Sequence, residues 1–477
     1  MSLARDGIPA DAVLDELRAL RAADLPTHGG RTLAYVYDSG LSEVDDLGAA
    51  AHALASATNG LDPTAFPSLL RLENEVVAAA AALLGGTGTA AGSVTSGGTE
   101  SCLLAVHAAR VARPEVTAPN LVLPATAHAA FHKAAHYFGL KAVVVPVDPG
   151  TFRADPDAVA AAIDADTVLV VASAPSYAHG VVDPVPEIAA AAAGRGVRCH
   201  VDACIGGWLL PYFRRLGVPL PEFDLSVSGV TSISVDLHKY AYCPKGTSVL
   251  LHADPELRRA QYFASAAWPG YTMLNATMQS TRSGGPLAAA WAVLRHIGDA
   301  GYVELARRTL DAVRALRAGI DAIDGLRVLG DPPASLLAVS AVDDGFDVFT
   351  VADEMAARRW YVQPQFGIGP SPANLHLTVT AANHGAEAEL LTDLAASVAA
   401  ARGLGPATVP AELAAAIAAL DPATLRAEEF AGLLAAAGLE DGGLPDRMAG
   451  VNVLLAQTAP ALREQLLIHF LGALYSA

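Results

Sequence analysis

The 477-residue chain is poor in three features, and each shortage limits what the protein can be. It has only four cysteines, Cys102, Cys199, Cys204 and Cys243, and no C-x-x-C pair. Metal ligation is therefore weakly supported, and small buried thiols in a reducing cytoplasm are the simpler expectation. Basic residues are outnumbered, with 31 Lys and Arg against 49 Asp and Glu and a net charge of −18, which argues against nucleic-acid binding.

Long apolar runs are the third shortage. The alanine-rich stretches are shorter than the ~20 apolar residues that a membrane-spanning helix needs. The charged, amphipathic first twenty residues lack the apolar segment of a signal peptide, so we expect neither a leader nor an anchor there. What the chain does contain is 52% hydrophobic and only 17% charged residues, which predicts a large folded core.

The region from about 88 to 255 alternates short apolar runs with helical patterns. This order predicts the α/β class, with a mainly parallel sheet of seven strands covered by helices on both faces. In such sheets ligands bind at the carboxyl ends of the strands. The predicted strands are 120–124, 142–147, 167–173, 197–202, 224–228, 232–237 and 248–252.

The patterning divides the chain into four parts. Residues 1–85 form an N-terminal segment of helices and loops, and 86–299 form the large domain. Residues 300–403 read as a small α+β domain. The Gly-Leu-Gly-Pro stretch at 403–406 is typical of a linker, so 404–477 are predicted to be a helical extension.

The first chemical candidate is Lys239, in the stretch SVDLHKYAYCPKG. It follows a predicted strand, and Lys245 comes six residues later. We expect partial burial at a strand end to lower the pKa of Lys239, which would make its amine a nucleophile toward carbonyls. His238 beside it could bind a phosphate. The alternative is structural: Lys239 pairs with a nearby carboxylate such as Asp236.

A phosphate site is suggested at Ser96–Ser101, where SGGTES precedes a helical run. Free N–H groups and the positive end of a helix dipole hold phosphates well. The alternative is an ordinary helix cap by Thr99 or Ser96. Just upstream, Gly86–Ala91 fits a loose dinucleotide fingerprint, but it follows a helix and lacks the acidic residue of that motif, so we do not expect a nicotinamide site.

Two further polar residues sit at predicted strand ends. Asp202 ends the strand VRCHVD, where its carboxylate needs a cationic partner: either a protein cation or a protonated pyridine nitrogen. His128 begins a helix directly after a strand. His132 and His136 follow at helical spacing, but without an H-E-x-x-H pattern no metal site is predicted.

One cofactor unites these pieces. Pyridoxal 5'-phosphate needs a lysine, an acid at its ring nitrogen, a phosphate cradle and a flat group over its ring. Lys239, Asp202, the 96–101 loop and His128 could supply all four, and they occur in the chain order seen in fold type I enzymes.

Residues 30–385 also resemble the sphingosine-1-phosphate lyase family of the pyridoxal-phosphate-dependent decarboxylase superfamily. The similar segments, in order, are VTSGGTESCLLA, TAHAAFHKAAHYFGLK, APSYAHGVVDPVPEIA, HVDACIGGWLLP, SVDLHKYAYCPKG and STRSGGPLAAAW. The resemblance implies a fold type I homodimer with active sites at the subunit interface. It also implies cleavage of a phosphorylated long-chain base into a fatty aldehyde and phosphoethanolamine, with amino-acid decarboxylation as the alternative.

The resemblance assigns roles around the cofactor. Lys239 carries it covalently, Asp202 pairs with the ring nitrogen and His128 stacks on the ring. The implied phosphate contacts are Gly98, Thr99, His238 and, from the other subunit, Thr281.

The resemblance also assigns the substrate site. Tyr37 in LAYVY matches a family tyrosine, Asn59 a family asparagine, and Lys245 a second lysine that assists proton transfer or binds the substrate phosphate. Asp62, in TNGLDPTAFP, replaces a family histidine. An acid there would repel a phosphate, so another amino acid or phosphorylated amine remains open as substrate. The extension at 407–477 has no counterpart in the resemblance.

Overall fold

The computed structural model describes residues 5–436 and 445–475. Its largest element is a seven-stranded sheet with the spatial order β1-β7-β6-β5-β4-β2-β3. Only β7 runs antiparallel to its neighbours, which confirms the mainly parallel sheet predicted from the sequence. The strands are β1 Ala91–Thr95, β2 Asn120–Pro124, β3 Lys141–Val145, β4 Thr167–Ser173, β5 Arg198–Asp202, β6 Val230–Asp236 and β7 Ser248–His252.

One predicted strand is wrong and one observed strand was missed. Residues 224–228 form a turn, because the Asp224 carboxylate accepts hydrogen bonds from the Ser226 amide (3.0 Å) and hydroxyl (2.5 Å). The seventh strand is instead β1, at the edge of the sheet against β7.

Helices cover both faces of this sheet, and every residue of β2 and β4 is buried, as expected for strands between two helical layers. The tenth helix is kinked at Gly298, where φ is 61°. The helices are α1 Ala10–Leu20, α2 Ser42–Ala55, α3 Pro67–Leu83, α4 Gly98–Val111, α5 Ala130–Phe138, α6 Pro156–Ala162, α7 Val185–Ala193, α8 Leu210–Arg215, α9 Pro255–Arg259 and α10 Gly285–Asp321.

A hairpin of β8 Phe263–Ser265 and β9 Met273–Asn275 precedes α10. Beyond α10, a four-stranded antiparallel sheet has the order β10-β11-β13-β12. Its apolar cluster includes residues of α10 and of the two helices that follow it. Its elements are β10 Leu326–Val328, β11 Leu336–Ala341, α11 Val348–Ala357, β12 Gln363–Gln365, β13 Asn374–Thr378 and α12 Glu387–Leu404.

The segment 31–35, which we call the strap, joins this small sheet to the large one. The Leu33 amide donates to the Tyr361 carbonyl (2.8 Å), and the Leu33 carbonyl accepts from the Thr378 amide (2.7 Å). Two residues further on, the Tyr35 carbonyl accepts a hydrogen bond from the Lys245 ammonium (2.9 Å). Tyr35 has a φ of 64°, a conformation that a non-glycine residue adopts only when its surroundings hold it there.

The C-terminal region is helical, as predicted, with its own apolar cluster of Ile417, Phe430, Leu462 and Leu466. Residues 437–444, 476 and 477 of the predicted helical extension lie outside the described residues. Throughout the described residues, every helix is too short or too polar to cross a bilayer. The helices are α13 Ala411–Ala418, α14 Ala427–Ala436, α15 Ala449–Gln457 and α16 Pro460–Leu474.

The register of the large sheet brings several strand ends to one edge. Ser248 pairs with Thr95 on one side and with Asp236 on the other. Two strands along, Asp202 pairs with Ser173. The polar residues that close β1, β4, β5 and β6 therefore stand along the same edge.

Behind this edge the buried Asp183 carboxylate accepts hydrogen bonds from the Ser173 amide (2.8 Å) and the Ala154 amide (2.9 Å). Burial raises the pKa of Asp183 to about 6. The folded chain therefore binds this proton more tightly than the unfolded chain, whose carboxyl group titrates near its ordinary value.

We predict that this group makes the free energy of unfolding fall as the pH rises from about 4 to about 6, by about 3 kcal/mol at most. In Asp183→Asn that component disappears, while the loss of one acceptor oxygen adds a constant cost. Urea unfolding at a series of pH values, compared with the exposed control Asp166→Asn, measures the difference in slope. Equal slopes for Asp183→Asn and wild type would contradict the assignment.

Candidate active site

A cavity of about 480 Å³ opens at the shared strand edge. It brings together seven of the ten residues predicted from the sequence: Gly98, Thr99, His128, Asp202, His238, Lys239 and Lys245. It is also lined by Ser173 and Tyr177, which the sequence interpretation missed. Ser173 could have been found, because it ends a predicted strand beside the one that carries Asp202.

Lys239 lies in this cavity with its Nζ 3.0 Å from Oδ2 of Asp236, a carboxylate that is almost fully buried. Burial alone would disfavour the ammonium, but the Asp236 carboxylate and other nearby groups hold the pKa of Lys239 well above its usual range. The expected lowering of the pKa of Lys239 is therefore wrong. The ion pair weighed as the structural alternative is present, and the amine must lose a proton before it can attack a carbonyl.

His238 is tied to the same carboxylate. Its Nδ1 donates to the Thr247 carbonyl (3.0 Å), and its Nε2 lies 3.6 Å from Oδ2 of Asp236. Burial lowers the pKa of His238, and Asp236 only partly offsets this. The neutral ring therefore has its proton on Nδ1, and a phosphate contact through Nε2 would require a second proton.

Asp202 ends β5 and borders the cavity with 8% of its surface exposed. Its Oδ1 accepts a hydrogen bond from the Cys204 amide (3.1 Å), which holds the carboxylate at the strand end. The acid and the Lys239 amine thus face one shared space.

Helix α4 points its N-terminus at the cavity. No side chain of the described residues caps it, so the ordinary cap by Thr99 or Ser96 is wrong. A Cβ at Gly97 would meet nothing within 4 Å, whereas one at Gly98 would lie 2.7 Å from Asp236 and 2.8 Å from Cys204 Sγ. The second glycine is needed for this close approach.

His128 stands just before α5, where its Nδ1 accepts a hydrogen bond from the Ala130 amide (3.2 Å). Its ring lies edge-on to Tyr177, with centroids 6.4 Å apart. Tyr177 is itself held by the small sheet: it stacks on His376 at 4.1 Å and donates to Gln363 Oε1 (2.6 Å).

The other three predicted residues lie outside the lining. Tyr37 is near it, because its ring is 5.4 Å from the Lys245 Nζ and edge-on to Tyr240. Asn59 and Thr281 lie together elsewhere, since Asn59 Oδ1 accepts from the amide of Arg282 (3.3 Å), the residue after the exposed Thr281.

Asp62 is exposed and does not line the cavity either. Its carboxylate accepts hydrogen bonds from the Thr64 hydroxyl (2.6 Å) and amide (2.8 Å). These bonds lower the pKa of Asp62 and engage the carboxylate in the turn that leads into α3.

Comparison with known proteins decides the family. Residues 34–336 match the pyridoxal-dependent decarboxylase conserved domain. The chain is 36% identical to the sphingosine-1-phosphate lyase of Dictyostelium discoideum, over 82% of this chain and 73% of that protein. It is 38% identical to sphingosine-1-phosphate lyase 1 of Rattus norvegicus, over 80% of this chain and 66% of that protein, just under two thirds. This chain belongs to the sphingosine-1-phosphate lyase family.

Solved structures agree with this membership. The sphingosine-1-phosphate lyase of Burkholderia pseudomallei is 37% identical, with a TM-score of 0.80 over 84% of this chain and 93% of that one. Glutamate decarboxylase of Lactobacillus brevis, at 20% identity and a TM-score of 0.74, shares the fold. Residues 411–473 match a C-terminal HTH domain of pyridoxal-dependent enzymes, so the extension does have a known counterpart.

Membership in this family makes the cofactor pyridoxal phosphate, and the residues around the cavity fit it. The cavity volume lies within the range of ~300–1,000 Å³ usual for small-ligand sites. Lysine, carboxylate, an uncapped helix terminus and an imidazole all border it. Ser173 Oγ is buried and has no hydrogen-bond partner among the described residues, so it offers a further polar contact.

We predict that Gly98→Ala weakens cofactor binding by at least about tenfold, equivalent to ~1.4 kcal/mol, because the added methyl group displaces Asp236 or the helix terminus. Titrating the cofactor-free chain with pyridoxal phosphate and following its absorbance measures the affinity. Gly88→Ala is the matched control, since a Cβ there meets nothing within 4 Å. Equal affinities for the two variants would contradict the close approach.

Proposed function

We propose that this protein is a pyridoxal-phosphate-dependent carbon–carbon lyase that cleaves a phosphorylated long-chain base of the sphingosine 1-phosphate type into a fatty aldehyde and phosphoethanolamine. The observation that carries this is the shared cavity of Lys239 and Asp202 at the uncapped terminus of α4. It occurs in a chain whose relatives named sphingosine-1-phosphate lyase match about four fifths of it.

When bound, the cofactor supplies an electron sink for the bond that breaks. In this proposal Lys239 holds the cofactor covalently, and the Asp202 carboxylate keeps its ring nitrogen protonated. His128 would supply the flat group that holds the ring. The phosphate is bound by Gly98, Thr99 and His238, with Thr281 from a second subunit.

Two proton movements complete the reaction: a proton leaves the substrate C3 hydroxyl, and one arrives at C2. Burial raises the pKa of Tyr37, which keeps its phenol protonated and suits it to donate. Burial, reinforced by the positive charge of Lys239, lowers the pKa of Lys245. A lowered pKa favours the neutral amine, so it supports Lys245 as the group that accepts a proton. The alternative role, binding of the substrate phosphate, needs its ammonium form.

The position of Asp62 is compatible with a phosphorylated substrate. Its carboxylate is exposed and hydrogen-bonded to Thr64, so the expected repulsion of a phosphate in this cavity does not arise within one chain.

Asn59 and Thr281 lie together outside the cavity, which supports a homodimer in which they complete the site of the second subunit. We further propose a cytoplasmic enzyme of sphingolipid metabolism with the four-part division at 85, 299 and 403.

A product assay tests the reaction. The purified protein with pyridoxal phosphate is incubated with sphingosine 1-phosphate and, separately, with a panel of amino acids. We expect a long-chain aldehyde and phosphoethanolamine, identified by mass spectrometry, from the first incubation only. Release of carbon dioxide and an amine from an amino acid, without aldehyde from the phosphorylated base, would establish the decarboxylase instead.

We predict that Lys239→Ala lowers turnover by at least ~10⁴-fold and removes the absorbance of the lysine-bound cofactor near the visible edge. Lys245→Ala should keep that absorbance and lose only part of the activity. Lys141→Ala, an exposed lysine at the start of β3, serves as the control with unchanged activity. A Lys239→Ala protein that retained the absorbance would mean that another lysine carries the cofactor.

A further inference from the structure

A cluster of three potential metal ligands borders the cavity. One ligand atom each of Cys102, Asp202 and Cys204 lies within 4.8 Å of the other two, and all three residues are buried. Cys102 comes from the first turns of α4, while Asp202 and Cys204 flank the end of β5. Among the described residues, the histidines at 128, 132 and 136 form no such group.

We propose that, in the chain without its cofactor, Cys102, Asp202 and Cys204 form a binding site for a thiophilic divalent cation, with Zn²⁺ as its type, and that cation and pyridoxal phosphate exclude each other. This goes beyond the proposed lyase activity, because binding of the cation requires no turnover.

The ligand set suits this ion. Two thiolates and one carboxylate are ligands that Zn²⁺ accepts in a tetrahedral shell, at about 2.3 Å for sulfur and about 2.0–2.2 Å for oxygen. Around such an ion the ligand atoms stand about 3–4 Å apart, so the observed spacing of no more than 4.8 Å requires only small side-chain shifts. All three residues line the cavity, which leaves the fourth position to water and gives the ion a path of entry.

The charge balance is favourable. Both cysteines are free and buried, so they enter the binding reaction as thiols beside the Asp202 carboxyl group. When Zn²⁺ binds, the two sulfur–zinc bonds form and both thiol protons leave. One divalent cation thus replaces two protons, and the net charge of this buried cluster stays the same.

Mutual exclusion follows from shared space and a shared ligand. The three residues border the same cavity as Lys239 and the terminus of α4. An ion held by the Asp202 carboxylate takes the group that, in the proposed function, faces the cofactor ring nitrogen. The exclusion therefore rests on that assignment, whereas metal binding by the two thiols does not.

The experiment measures zinc bound by the full-length chain after pyridoxal phosphate has been removed. We expect about one zinc ion per chain after gel filtration, and at least about tenfold weaker binding in Cys102→Ser and in Cys204→Ser. Cys243→Ser is the matched control, a buried thiol outside the cluster that should bind zinc as wild type does. Wild-type binding in Cys102→Ser and Cys204→Ser would overturn the site.

Two further measurements keep the result decisive. If circular dichroism shows that a cysteine variant fails to fold, Co²⁺ is added to the cofactor-free wild type. We expect the near-ultraviolet absorbance of thiolate–cobalt bonds, and its absence would overturn the site.

The cofactor-loaded chain should take up no zinc, and zinc should weaken cofactor binding to the free chain. Equal zinc uptake by both forms would overturn the exclusion. A lyase assay on the zinc-free loaded enzyme reports separately on the proposed function.

Discussion

The site is organised by one buried negative charge, the carboxylate of Asp236 at the end of β6. It accepts a hydrogen bond from Ser248 Oγ (2.6 Å) and pairs with Lys239 (3.0 Å), while His238 stands 3.6 Å away. Burial alone would raise its pKa, but the Lys239 ammonium, the neighbouring His238 and the Ser248 hydroxyl lower the pKa of Asp236 and keep it ionised. A buried charge deprived of its partners costs several kcal/mol. This carboxylate therefore sets where the Lys239 amine lies, and it leaves no room for a side chain at Gly98.

How far the sequence predicts the fold depends on whether the signal is local. The strand Thr167–Ser173 is a continuous apolar run between two helices, and its predicted bounds match the structure. The edge strand Ala91–Thr95 escaped prediction because Gly92 and Ser93 have low strand propensity, and it exists through antiparallel pairing with a strand far along the chain. The strand predicted at 224–228 was wrong for the opposite reason. Its apolar residues suggested a strand, but the Asp224 side chain closes a turn there.

The same distinction between local and long-range signals explains which parts of the site could be predicted from the sequence. Residues at strand ends could be predicted together, because parallel strands deliver their carboxyl ends to one edge, and Lys239 and Asp202 do meet there. The protonation state of Lys239 could not be predicted, since it depends on the orientation of the nearby Asp236 carboxylate. Tyr177 was missed because its place is fixed by His376 and Gln363 of the small sheet, whose packing leaves no local signal.

The strap, residues 31–35, connects the small sheet to Lys245 at the cavity. Its backbone is hydrogen-bonded at one end to Tyr361 and Thr378. At the other end, the carbonyl of Tyr35, a residue with a strained φ, accepts a hydrogen bond from the Lys245 ammonium. The strap therefore couples the position of the small sheet to that of an amine in the cavity. A substitution in the small sheet that shifted the strap would thus also shift the carbonyl group that holds the Lys245 ammonium.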